Sequence, residues 1–202
     1  MEKIVNALIA AIEIWDPYTA GHQKRVATLS LAISREMGFK QKRLDTMRIA
    51  SLLHDIGKIN LPTEILCKPG KLATCEFNLM KIHSEAGYQI LKKIHFPDKI
   101  ANIVLQHHES SDGSGYPHGL KGDEICIEAK ILHIADVVEA ISANRPYRPA
   151  YEINEALAEI ENDTDGKYDP VARDICLDLF RSKNFQIKEI QMRDVERSKK
   201  KG

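Results

Sequence analysis

Apolar side chains recur at three- and four-residue intervals along most of the 202-residue chain, the spacing of one buried face on an α-helix. Ile4, Leu8, Ala11, Ile12 and Trp15 mark a first amphipathic helix that ends near Asp16-Pro17. Val26, Leu29, Ile33 and Met37 line a second, closed by Gly38. A third runs from about Lys42 through Leu44, Met47, Ile49, Ala50, Leu52 and Leu53 to the pair His54-Asp55. From Leu61 to Lys71 the pattern lapses, and Pro62, Pro69 and Gly70 predict an irregular loop. Helical spacing resumes from Glu76 through Met80, His83, Ile90 and Leu91. It returns from Asp98, read as an N-cap after Pro97, through Ile100, Ile103 and Val104 to His107-His108.

Beyond that pair, Glu109 to Gly122 holds four glycines and Pro117, with little to drive regular structure. A polar loop this long in so helical a chain points to function rather than filler. Helices follow at about Glu128–Ser142 and Asn154–Glu161, and a last one opens with Asp169 as N-cap and Pro170 at the first helical position. Clean two-residue alternation is absent, as are internal repeats and a glycine-rich phosphate loop. The fold class predicted is all-α: a helical bundle with one long exposed loop.

The length suits one domain able to bury its own core. Basic and acidic side chains balance at 29 each, so no global field argues for nucleic acid or an anionic membrane as partner. Lys199-Lys200-Lys201 reads as a solvated end. Cys67, Cys75, Cys126 and Cys176 are scattered, with no paired spacing, which favours the reducing cytoplasm over a disulfide framework. There is no secretory signal pattern and no apolar run long enough to span a bilayer, so a soluble cytoplasmic domain is expected.

Histidine and aspartate change the picture. A lone helical histidine is most often a satisfied polar group, and that reading suits His95, His118 and His133. His22, His54, Asp55, His83, His107, His108 and Asp136 differ by their company. Imidazole and carboxylate together suit first-row divalent metals. Helical neighbours point about 100° apart, so adjacent ligands serve two ions or a helix end better than one ion on one face. Asp55, with two oxygens, can reach both ions. Gly57 removes bulk beside this pair and Lys58 adds a cation. The residues therefore point to a two-metal site.

These residues carry a resemblance to the HD-GYP family, a bacterial branch of the HD-domain phosphohydrolases. The matching segments are DPYTAGHQKRV (Asp16–Val26), HDIGKI (His54–Ile59), HSEAGYQIL (His83–Leu91) and HHESSDGSGYPHGLKGDEI (His107–Ile125). ILHIADVVEAISANRPYR (Ile131–Arg148) and GKYDP (Gly166–Pro170) follow in the family's order. The resemblance implies an HD-domain bundle with extra C-terminal helices. It divides the chain into an N-terminal helix (1–15), a catalytic domain (16–182) and a polar tail (183–202).

It also implies a dinuclear centre of iron or manganese. One ion takes His22, His54, Asp55 and Asp136; the second shares Asp55 and adds His83, His107 and His108. Lys58 would hold a substrate phosphate oxygen or assist the leaving group, Arg145 would contact substrate phosphate or a guanine edge, and Gly115-Tyr116-Pro117 would lie on a loop flanking the site. The implied reaction opens cyclic di-GMP to linear pGpG, with slow further cleavage to GMP. GGDEF-domain proteins and an upstream sensory domain are the macromolecular partners it suggests, while an exposed stripe of Ile4, Leu8 and Trp15 offers a surface for a homodimer.

Several positions depart from the family pattern. Tyr18 stands where one subset carries a glutamate for a third ion, so two ions are expected, with Glu13 and Asp16 the nearby substitutes. Ser84 replaces a usual proline, Glu139 a common aspartate, and Ser110 a common basic residue. None removes a ligand. Two other readings compete: a phosphohydrolase for a different cyclic dinucleotide or nucleotide, and a non-catalytic module that binds cyclic di-GMP or a GGDEF domain.

Overall fold

The computed structural model describes residues 2–16, 21–94, 96–143 and 152–187, and among these every regular element is helical. Helix α1 spans Glu2–Trp15, α2 His22–Glu36 and α3 Gln41–Leu53. A 3-10 turn, Ile56–Asn60, and the short α4, Thr63–Leu66, follow. Then come α5 (Thr74–Met80), α6 (Ile82–Lys93), α7 (Asp98–Gln106), a second 3-10 turn (Gly122–Glu124), α8 (Ile127–Ser142), α9 (Ile153–Glu161) and α10 (Pro170–Arg181). Tyr18, His95, Arg145 and the Lys199-Lys200-Lys201 end lie outside the described residues.

The bundle is organised around α2, which packs on α3 and α8, while α7 closes against α3 and α6. Leu29 and Ile33 of α2 meet a core that includes Met47 and Leu52 of α3, Ile103 of α7 and Ile131 and Leu132 of α8, all essentially buried. Their burial is the driving force that holds these four helices in register. Gly38 closes α2 as its position predicts: its N–H and that of Phe39 return to the carbonyls of Arg35 and Ser34 at 2.9 and 3.0 Å. Asp169 caps α10, its carboxylate accepting from the Ala172 N–H at 3.1 Å.

Some boundaries differ from the sequence pattern. The buried stripe of α1 is Val5, Ile9 and Ile12, one residue round from the expected face, so Leu8 only partly packs and Ile4, Ile14 and Trp15 stay exposed. A step of one residue turns a helix by about 100°, and α1 is apolar on enough positions for either face to fit. The expected loop from Leu61 to Lys71 contains α4, entered from Pro62. A single turn residue, Lys81, separates α5 from α6. Helix α7 begins at Asp98, with Pro97 in the cap position.

Candidate metal centre

Both adjacent pairs sit where a helix stops. His54 is the C-cap of α3 and His107 the C-cap of α7, so His54-Asp55 and His107-His108 project from the ends of two packed helices into one space. His22 opens α2, His83 lies in the first turn of α6, and Asp136 comes from the middle of α8. Helix ends free successive side chains from the one-face rule, which is how neighbouring residues converge. The 3-10 turn after Asp55 lies hard against α6: a Cβ on Gly57 would stand 1.9 Å from the His83 carbonyl oxygen and 2.5 Å from Gly87 N. Only glycine permits that approach.

All seven side chains singled out from the sequence come together. Ligand atoms of His22, His54 and Asp136 lie within 4.8 Å of one another, as do those of His83, His107 and His108. Asp55 stands between the groups. Its Oδ2 is 3.4 Å from His54 Nε2 and 3.7 Å from His22 Nε2, while its Oδ1 is 3.7 Å from His83 Nε2. His22 Nε2 also lies 3.2 Å from Asp136 Oδ1, and His83 Nε2 lies 3.2 Å from His107 Nε2. Among the described residues, neither Glu13 nor Asp16 joins such a group.

The outward nitrogens of these rings are occupied. Nδ1 of His54, His83 and His107 donates to the carbonyls of Ser51, Met80 and Val104, at 2.8, 2.7 and 2.6 Å. These bonds leave Nε2 with the lone pair, turned inward. Buried His54 Nε2 has no hydrogen-bond partner, and two imidazole nitrogens 3.2 Å apart make a poor dry pair. The donor set therefore fits divalent cations: inward lone pairs, nearby carboxylates, and a buried nitrogen otherwise unsatisfied.

Charge is arranged to match. Burial pushes the Asp55 carboxyl up, but Lys58 and then the surrounding histidines hold it well below the usual range. Asp136 is likewise lowered against its burial, first by His22, whose Nε2 lies 3.2 Å away, and then by the nearby His54 ring. Burial lowers His83, His107 and His108; Lys58 lowers His83 further, and the neighbouring rings lower His107 and His108. Burial opposes charge on His22 too, yet Asp136 and Glu139 raise it to about 9. Lys58 Nζ reaches Asp55 Oδ2 at 2.7 Å and lies 4.0 Å from Asp16.

The glycine-rich loop folds back over the second group. A Cβ on Gly115 would meet Ser110 N at 2.3 Å and the His108 oxygen at 2.5 Å, and the Tyr116 N–H donates to that oxygen at 3.0 Å. The Tyr116 ring then lies over His108, with centroids 4.7 Å apart, and Tyr116-Pro117 is a cis peptide. Buried Glu109 pins the loop by accepting from the N–H groups of His118 and Leu120 at 2.7 and 2.9 Å. His133 has the modest role expected of it, its ring bonded to the His107 carbonyl at 3.0 Å.

Sequence reasoning passed over two features here. Glu139, noted only as a departure, is buried against His22. Phe77 and Lys81 reach the loop: the Phe77 ring is edge-on to Tyr116 at 6.4 Å, and the Lys81 ammonium is 5.5 Å from the Tyr116 centroid. The three-residue step from Asp136 to Glu139 on one helix was a signal for the first; none pointed to the second.

Comparison with known proteins agrees with this geometry. A family model described as HD domain matches residues 6–171. The 3'3'-cGAMP-specific phosphodiesterase 3 of Vibrio cholerae is 41% identical over 170 residues, covering 84% of this chain and 37% of the relative. The cyclic di-GMP phosphodiesterase of Thermotoga maritima is 40% identical over 179 residues, covering 88% of this chain and 49% of the relative. The chain thus spans less than half the length of these relatives. Among solved structures, Bd1817, a HDG"Y"P protein from Bdellovibrio bacteriovorus, superposes with a TM-score of 0.67 at 24% identity, over 80% of this chain and 52% of that one.

Proposed function

The chain belongs to the HD-domain family, in its HD-GYP branch, and from that premise we propose that it is a dinuclear metal-dependent phosphodiesterase that opens cyclic di-GMP to linear pGpG. The observation that carries this reading is the division of Asp55 between two histidine groups, one oxygen toward each. His22, His54, Asp55 and Asp136 would hold one divalent ion, and Asp55, His83, His107 and His108 the other. The donors gathered among the described residues support a reading of two ions, and iron or manganese suits their mixture of imidazole and carboxylate. When bound, such a pair supplies Lewis acidity at phosphoryl oxygens and lowers the pKa of water.

The protein's own groups prepare that chemistry. Backbone carbonyls fix three imidazoles in one tautomer, so the site loses little order when it is filled. Lys58 sets positive charge where a phosphoryl group gains negative charge, and Arg145 is proposed to do the same. Tyr116 covers His108 and limits water on that side, and with Gly115 and Pro117 it is assigned to the substrate-facing rim. No side-chain nucleophile is required. GGDEF-domain proteins, an upstream sensory domain and a homodimer belong to the same reading, the last through the exposed Ile4, Ile14 and Trp15 of α1, and the setting proposed is the cytoplasm.

A second reading, hydrolysis of 3'3'-cGAMP, is favoured by the name of the 41% identical Vibrio relative. Parallel incubation of manganese-loaded protein with cyclic di-GMP, 3'3'-cGAMP and dNTPs separates the readings. Preferential loss of cyclic di-GMP with pGpG appearing supports the first, and preferential loss of cGAMP supports the second. Tight binding with no turnover of either identifies a binding module.

A further inference from the structure

Resting on the two-ion reading, we propose that Glu139 is the positioning residue that holds His22 ready for the first ion. His54, His83 and His107 each anchor Nδ1 on the carbonyl three residues earlier. His22 is the first residue of α2, with Gly21 in the cap position. Its Nδ1 instead donates to Oε2 of Glu139, which reaches it from α8, 117 residues away in sequence, and is 1% exposed. The other carboxylate oxygen accepts from Arg25 Nε at 2.6 Å. Glu139 lies three residues after Asp136, and Arg25 three residues after His22, so two helices present matched pairs to each other.

The His22 ring is thereby held from both sides by one helix, Glu139 at Nδ1 and Asp136 at Nε2. When an ion takes the place of the Nε2 proton, a carboxylate at Nδ1 keeps the proton on that nitrogen, leaves the Nε2 lone pair facing inward, and raises its basicity as a ligand. Length matters as well as charge. An aspartate at this position would draw the carboxylate back by about one bond, roughly 1.5 Å, and so out of reach of His22 Nδ1.

Outer partners of this kind are worth about 10- to 100-fold in metal affinity. Equilibrium dialysis against Mn2+ with elemental analysis tests the proposal on the full chain, comparing wild type with Glu139→Leu and Glu139→Asp. The expected result is two ions in wild type, with one of the two weakened about 10- to 100-fold in both variants and the other unchanged. Glu139→Asp keeps the charge and carries the test alone if the leucine variant does not fold. Unchanged affinity for both ions in the variants overturns the proposal, as does equal weakening of both, which marks a merely structural role. Fewer than two ions in wild type overturns the two-ion reading itself, and the proposal with it.

Discussion

Asp55 Oδ1 lies 3.7 Å from Nε2 of His83, while the second oxygen of the same carboxylate faces His22 and His54. One side chain thus stands between two groups of inward nitrogens supplied by different helix ends. Its removal should be felt on both sides. Asp55→Asn is expected to lower the content of both ions and to reduce cyclic di-GMP hydrolysis on the order of 100- to 1,000-fold or more, the scale of losing one fixed electrostatic group. Elemental analysis beside a turnover assay checks this. A variant that keeps one ion at full affinity would show that Asp55 serves one group only.

Gly57 is the contact point between the 3-10 turn and α6. An added methyl would collide with the His83 carbonyl at 1.9 Å, and rigid backbone is what it meets. Gly57→Ala should therefore destabilise the fold by about 3 kcal/mol, the upper range for overpacking. Urea denaturation measures the loss, and the second ion should bind more weakly because His83 is displaced. A midpoint within error of wild type would mean that the turn can move away freely.

Glu128 supplies a pH test of the fold away from the centre. It is buried at the start of α8 and accepts from Arg43 at 2.8 Å and Lys99 at 2.7 Å. Burial raises its pKa, but the two cations prevail and hold it below the ordinary 4.5. A depressed carboxylate stabilises the folded state above its unfolded pKa, and that contribution disappears as pH falls through the folded value. Wild type should exceed Glu128→Gln in stability at neutral pH, and the gap should close below about pH 4.5. A gap that stays constant into acid would contradict the assignment.

The thiols report on packing. Cys67 and Cys75 are exposed, Cys126 is partly covered with burial raising its pKa, and Cys176 is buried with its pKa pushed up to about 12. Native protein at pH 8 should react with a disulfide reagent quickly at Cys67 and Cys75, slowly at Cys126, and at Cys176 only after denaturation. Mass mapping of the modified peptides reads the order. Early labelling of Cys176 would place α10 wrongly.

Much of this was legible in the sequence because the signals are local. Asp169-Pro170 announces the start of α10 through cap chemistry, and Gly38 the end of α2. Histidine pairs at the ends of apolar runs located the centre. The face of α1 was not legible, since Leu8 and Ile9 are both apolar and only the packing partner chooses between them. Nor was the step at Lys81, which stays in helical backbone and carries no glycine or proline. Glu139 escaped because its partner is 117 residues distant, and long-range pairing leaves no mark on local pattern.

The central claim is that these gathered side chains make a phosphodiesterase. Its most direct test is a time course of cyclic di-GMP with anaerobically purified protein reconstituted with iron or manganese, followed by chromatography of the nucleotides. The account predicts loss of cyclic di-GMP with matching appearance of pGpG, metal-dependent and absent in Asp55→Ala. Intact cyclic di-GMP after prolonged incubation with fully metallated protein would contradict it.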